Sequence, residues 1–107
     1  EADGLDDLCE HFLAWQGDEA VATARARMTP KGWKLERVAV LREHRGRDVG
    51  TALVAGVLAR APAGVVVVVH AQESALGFWE RVGFVAAGAR FEEGGIGHRS
   101  MSRAPER

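Results

Sequence analysis

The chain has no tyrosine, one cysteine, three prolines and no long apolar run. Each shortage excludes something. Without tyrosine, no phenol is available as an acid or donor. A single cysteine, Cys9, forms no internal disulfide and leaves no cysteine pair for zinc. That usage fits a reducing, cytoplasmic setting. Acidic neighbours disfavour a Cys9 thiolate, so a nucleophilic role is not expected. The longest unbroken valine run, residues 65–69, is far below the ~20 residues of a membrane helix. No basic stretch followed by an apolar one opens the chain, as a signal peptide would require.

What remains is a chain of 107 residues, 47% hydrophobic and 27% charged, the profile of one small folded domain spanning 1–107. The acidic start, residues 1–9, has little periodicity and reads as a loop or frayed end. Net charge is −1, but unevenly spread. Residues 1–20 carry seven acids and no Lys or Arg. Residues 25–47 carry eight Lys and Arg against Glu36 and Glu43. Such a field suits an anionic ligand. Nucleic acid is not expected, because no aromatics interleave with the basic residues. The plainer alternative is a solvated charged face.

Hydrophobic alternation predicts strands at residues 11–15, 20–28 and 33–41, joined by turns at 17–19 and 29–32. A charged loop, 42–48, precedes a helix over 49–61, where Leu53 with Val57 and Val54 with Leu58 form an apolar stripe. Pro62 and Gly64 end it. The β-branched run 65–69 predicts a strand buried on both faces. Ser74 is a candidate N-cap for a helix through Arg81, closed by Gly83. Strands over 84–91 and 96–102, with a turn at 92–95, complete the chain. The expected fold is mixed α/β (α+β by another convention) in three layers. Its sheet is mostly antiparallel, with one central β-α-β unit.

Chemistry concentrates where the third strand runs through a short loop into the helix. A glycine-containing loop that opens a helix presents unpaired backbone N–H groups to one point, and the helix dipole adds positive potential. Arginines in the loop add fixed charge. That combination binds phosphate or pyrophosphate. Neither the Gly-Lys-Ser/Thr ending of a nucleotide P-loop nor Gly-x-Gly-x-x-Gly is present.

Arg45-Gly46-Arg47-Asp48-Val49-Gly50 resembles the Arg/Gln-x-x-Gly-x-Gly/Ala signature of the GNAT N-acetyltransferase superfamily. The segment from Ala71 through Phe78-Trp79 to Gly83-Phe84 is similar to that family's later Ala/Asn-x-x-Ala-x-x-Phe-Tyr-x-x-x-Gly-Phe motif. Glu93-Gly94-Gly95-Ile96-Gly97-His98, followed by Met101, resembles the ending of the small ElaA-like branch. Together the matches cover roughly residues 10–103.

The resemblance implies binding of acetyl-CoA as cosubstrate, with no metal. It also implies direct acetyl transfer to a primary amine, small-molecule or peptide, in a ternary complex. It places the pyrophosphate on Arg45, Gly46, Arg47, Asp48, Val49, Gly50 and Thr51. The pantetheine arm falls along the backbone of Val38, Ala39 and Val40, where an N–H could polarise the thioester carbonyl. His70, Gln72, Phe78 and Trp79 join them as cofactor contacts.

Glu36 is the first candidate base, sharing a face with Val38 and Val40 if no bulge intervenes. The alternative is a strand carboxylate paired with Lys34 or a neighbour. His98 is a second catalytic candidate, or else a hydrogen-bonded histidine in a turn. Asp48 stands where the family usually has glycine, which adds a negative charge beside a pyrophosphate. Trp79 stands at the family's tyrosine acid, and an indole N–H is no practical acid. A catalytically weak module that binds CoA or a protein partner is therefore the competing expectation. Relatives usually begin with a further strand and helices, so a largely present cofactor half-site and an incomplete acceptor half-site are expected. Exposed sheet edges allow a homodimer.

Overall fold

The computed structural model describes residues 9–46 and 48–105. The elements are β1 (Glu10–Gln16), β2 (Glu19–Thr29), β3 (Gly32–Val40), α1 (Val49–Ala59) and β4 (Val67–Gln72), followed by α2 (Leu76–Arg81), β5 (Val85–Ala86), β6 (Phe91–Glu93) and β7 (Ile96–Arg103). The sheet order is β1-β2-β3-β4-β7-β5, with β6 also on β7. Among the described residues only β3 and β4 run parallel; the other pairs there are antiparallel. The mixed, mostly antiparallel sheet around a β-α-β unit is as expected.

Three local readings need correction. The valine run does not itself form the strand. Val65 N–H turns back to Pro62 O at 3.3 Å, and β4 begins at Val67 and runs on through His70 to Gln72. Ser74 does not cap a helix. It lies in a 3-10 turn, Glu73–Ala75, and α2 starts at Leu76 with no side-chain cap. The expected strand over 84–91 is broken by Gly88 at φ 85, which separates β5 from β6. Glu92 and Glu93 therefore belong to β6, and the β6–β7 hairpin turns on Gly94 and Gly95. Both glycines are at positive φ, as a two-residue type I′ turn demands.

Strand register fixes the two faces. Ala26 pairs with Leu35, Leu35 with Val69 and Val69 with Met101, so all four share one face. Leu53, Val54 and Val57 of α1 join Ala22, Ala24, Ala26 and Leu35 in the core. The alanines keep this part of the sheet low enough for α1 to approach. Trp79 of α2 and Phe84 enter the same core beside Val67, Val69, Ala71 and Met101. Both helices thus cover one face, and the described residues form two layers rather than three. Leu35, Met101, Val54 and Val57 are almost wholly buried. Truncating one of the larger pair to alanine should cost about 2–5 kcal/mol.

The other face follows by the same register. Arg25 pairs with Glu36, Arg27 with Lys34, Lys34 with Val68, and Gln72 with His98. His70, two residues from both Val68 and Gln72, shares their side. That face is polar, and no helix among the described residues covers it.

Candidate active site

The site begins where β3 and β4 part. They pair only at Trp33/Val67, Lys34/Val68 and Leu35/Val69. Just beyond Leu35 the β2–β3 register shifts between Thr23 and Arg25, and Arg37 adopts φ 57. One extra residue on β3 bends and twists it. Thereafter β3 follows β2 to Val40, and β4 follows β7 to Gln72. The edge of β3 facing the gap has no strand partner there among the described residues. The bulge also reverses the side-chain alternation. Val38 and Val40 turn to the helix side and pack on the core, while Glu36 stays with the polar face. The shared face was expected only if no bulge intervened; the bulge is present and separates Glu36 from Val38 and Val40.

Next comes the loop. A 3-10 turn, Arg42–His44, leads through Gly46 at φ 77 and Asp48 at φ 64 into α1. The first bond linking the loop to the helix runs from Ala52 N–H to Asp48 O at 3.0 Å. The N–H groups of Val49, Gly50 and Thr51 therefore have no acceptor within the helix. Asp48 supports the turn by taking the left-handed conformation itself, and its carboxylate caps nothing. A Cβ on Gly50 would meet the Phe78 ring at 3.3 Å, so that glycine lets α1 dock against α2. Arg45 Nε donates to Val40 O at 3.0 Å and ties the loop to β3.

A cleft of about 1120 Å³ runs from this loop through the gap to the polar face. Val38, Ala39, Val40, Arg45, Gly46, Asp48, Gly50, Thr51, Gln72, Phe78 and Trp79 all line it, as do Glu36, His70 and His98. Val49 does not, because its side chain packs on the core. Arg47 lies outside the described residues. Trp79 is chiefly a core residue, 5% exposed and in edge contact with the Phe78 and Phe84 rings.

On the polar face Glu36 is the hub of an ion-pair cluster. Its Oε2 accepts from Arg25 Nε at 2.7 Å and from Arg27 Nε at 3.0 Å, and Lys34 Nζ lies 3.7 Å from Oε1. Burial pushes its pKa up, but the hydrogen bonds and charges of Arg27 and Arg25 together outweigh that. The carboxyl is held below its ordinary range. A carboxylate so held is a poor proton acceptor.

His70 differs. Partial burial lowers its pKa, the Lys34 charge lowers it further, and Glu93 opposes both. The net direction is down, which keeps the imidazole neutral near pH 7. Its buried Nδ1 lies 3.4 Å from Glu93 Oε1, off the line of a well-formed hydrogen bond. The Phe91 ring meets His70 edge-on and stacks on His98. His98 is nearly buried, and its Nδ1 lies 2.8 Å from Ile96 O. A carbonyl only accepts, so Nδ1 carries the proton and Nε2 is left as the acceptor in the neutral ring.

Glu93 has no assigned role in the sequence motifs. Its signal was its place at the head of the Glu-x-Gly-Ile-x-His ending, which the hairpin folds back beside β4. The alternative reading of Glu36, a strand carboxylate paired with Lys34 or a neighbour, matches the structure, and Arg25 and Arg27 of the basic stretch are the further partners. The alternation of these three cations with apolar residues in β2 and β3 was the sign that they share a face.

A family model for the GNAT acetyltransferase domain matches residues 6–104. This chain belongs to that family. YyaT of Bacillus subtilis is 30% identical over 105 residues, a match covering 96% of this chain and 71% of YyaT. The crystal structure of an acyl-CoA N-acyltransferase from Pseudomonas aeruginosa superposes with a TM-score of 0.85 at 28% identity, over 95% of this chain and 74% of that one. That of Escherichia coli ElaA superposes with a TM-score of 0.78 at 30% identity, over 89% and 68%.

Proposed function

We propose that this chain is an acetyl-CoA-dependent N-acetyltransferase that acetylates a primary amine by direct transfer in a ternary complex. The observation that carries this reading is the parting of β3 and β4 beside three helix N–H groups without intrahelical acceptors. A strand edge without a partner accepts an extended amide chain, as in β-augmentation. The start of α1 favours an anion. Acetyl-CoA offers both, an amide-bearing arm and a pyrophosphate, and supplies an acetyl group on a thioester. Val38, Ala39 and Val40 would hold the arm by their backbone, and Gly46, Gly50 and Thr51 the pyrophosphate.

His70, not Glu36, serves best as the base. It is neutral, lines the cleft, and follows Val69, the last β4 residue paired to β3. Glu93 beside Nδ1 favours the proton on that nitrogen and leaves the Nε2 lone pair to accept the amine's proton. As the C–N bond forms and the C–S bond breaks, sulfur departs as thiolate. A thiol pKa of about 8.5 makes that tolerable without a tyrosine. Glu36 then holds Arg25 and Arg27 in place, and His98 supports the cleft wall through Phe91. A cytoplasmic location fits the single cysteine.

Titration with acetyl-CoA, followed by thermal unfolding, tests the cofactor. Saturation at about 100 times Kd should add about 2.7 kcal/mol to stability. No stabilisation at high acetyl-CoA would overturn the reading. Release of free thiol with a panel of amines then tests turnover. Binding without any thiol release would favour the second reading, a weak or inactive CoA-binding module. The absence of tyrosine and the burial of Trp79 are its support.

A further inference from the structure

The polar end of the cleft is not neutral. Among the described residues gathered around Glu36, three cations share one carboxylate: Arg25, Arg27 and Lys34. Arg25 is almost fully buried, but Arg27 and Lys34 keep 25% and 20% of their side chains exposed and line the cleft. Lys34 sits farthest from Glu36, at 3.7 Å. It is also near enough to His70 for its charge to be felt there. Glu93, the other carboxylate at this end, lies with His70 on the far side of the gap. Arg27 and Lys34 are two cleft-lining cations on one carboxylate that Arg25 also engages, and partly buried charge seeks a partner.

We infer that the acceptor amine carries an anionic group, a carboxylate or a phosphate, close to its nucleophilic nitrogen, and that Lys34 and Arg27 receive it. The inference rests on the acetyltransferase reading for the location of the acceptor. An acid at Lys34 sets a neighbouring amine beside His70, on the polar side of the gap. A bare polyamine would instead meet like charge, which this end repels.

Equilibrium binding tests this apart from turnover. Amino acids are compared with their primary amides, and amino-sugar phosphates with the parent amino sugars, on the intact chain at low and high salt. The acid should bind about tenfold tighter or more than its neutral partner in at least one pair, since charge-assisted hydrogen bonds are the stronger class. The gap should shrink with salt. The carboxylate pair and the phosphate pair tell the two sources apart. Lys34→Met keeps the stem and removes the charge, and should erase most of the preference by weakening the acid, while the parent amino sugar, relieved of a like charge, binds at least as well as before. In turnover the same variant should raise KM for the acid with a smaller effect on kcat. Equal binding within both pairs, no binding of any member at millimolar concentration, or a preference untouched by Lys34→Met would overturn the inference. Absence of acetyl-CoA binding would count against the cofactor reading alone, because the anion preference is measured without it.

Discussion

Leu35 and Val69 are the last residues at which β3 and β4 face each other. Both are buried in the core, so the strands are clamped up to that pair and free beyond it. The gap is thus a consequence of packing and the β3 bulge together. Arg37 holds the bulge at φ 57, a conformation costly for a residue with a Cβ. Arg37→Gly and Arg37→Ala remove the same side chain, but only glycine relieves that strain, so the glycine variant should be more stable than the alanine one by about 1 kcal/mol. Chemical denaturation of the pair measures it. Equal stability would mean that the backbone at residue 37 stores no strain.

Much of this site was legible in the sequence. The loop from Arg45 to Gly50 announced itself because glycine, charge and a following helix pattern coincide within six residues. The bulge did not. Glu36, Val38 and Val40 alternate as any strand would, and only the pairing with β2 shows that Arg37 is the extra residue. The same limit leaves the cross-strand partners of Glu36 open, although its pairing with Lys34 is foreseen. Its neighbours Arg25 and Arg27 lie in another strand, and register decides whether they meet it. Two acids before two glycines look like turn, yet Glu92 and Glu93 lie in β6. The glycines alone suffice for the turn, at φ 61 and 78.

Glu36→Gln should destabilise the fold more than it slows chemistry. It leaves Arg25, 4% exposed, without its 2.7 Å carboxylate partner. Removing one member of a buried pair costs about 3 kcal/mol. The native pKa of Glu36 is lowered from 4.5, so its contribution is present above that value. It is lost as pH falls through the lower native one. The wild-type chain should therefore lose stability more steeply below pH 4.5 than Glu36→Gln, as acid unfolding at constant salt will show.

Asp48→Gly should tighten acetyl-CoA binding. The aspartate sits at φ 64 before the first turn of α1 and lines the cleft, where its charge opposes a pyrophosphate. Glycine takes the same backbone conformation without strain, worth up to about 1 kcal/mol in stability. Calorimetric titration should show several-fold lower Kd, with the difference shrinking as salt rises. An unchanged Kd at low salt would place the pyrophosphate elsewhere.

Gly32→Ala should be among the most damaging glycine substitutions. Gly32 opens β3 at φ 135, and a Cβ there would run into the carbonyl of Val66. That same carbonyl accepts the Trp33 N–H at 2.9 Å, the bond leading into the β3–β4 pair. Neither backbone can yield without losing it. A loss of about 2–3 kcal/mol is expected from strain and the broken bond together. Acetyl-CoA binding should weaken too, because the parallel pair at Trp33–Leu35 sets where the gap begins.

The pH profile of transfer should identify His70 as the base. The reactive form is the neutral imidazole, so kcat/KM should fall as pH drops through its native pKa, which lies below 6.5. His70→Gln should lose about 10²–10⁴ in kcat/KM and abolish that limb, with acetyl-CoA affinity nearly intact. The neighbours move the limb in opposite directions. Glu93 raises the His70 pKa, so Glu93→Gln should shift the limb to lower pH. Lys34 lowers it, so Lys34→Met should shift the limb upward. The same titration bears on folding. A histidine with a lowered native pKa stabilises fully above 6.5 and loses that contribution as pH falls through the native value. A limb that survives His70→Gln would move the proton to another acceptor, with His98 Nε2 the next candidate in the cleft.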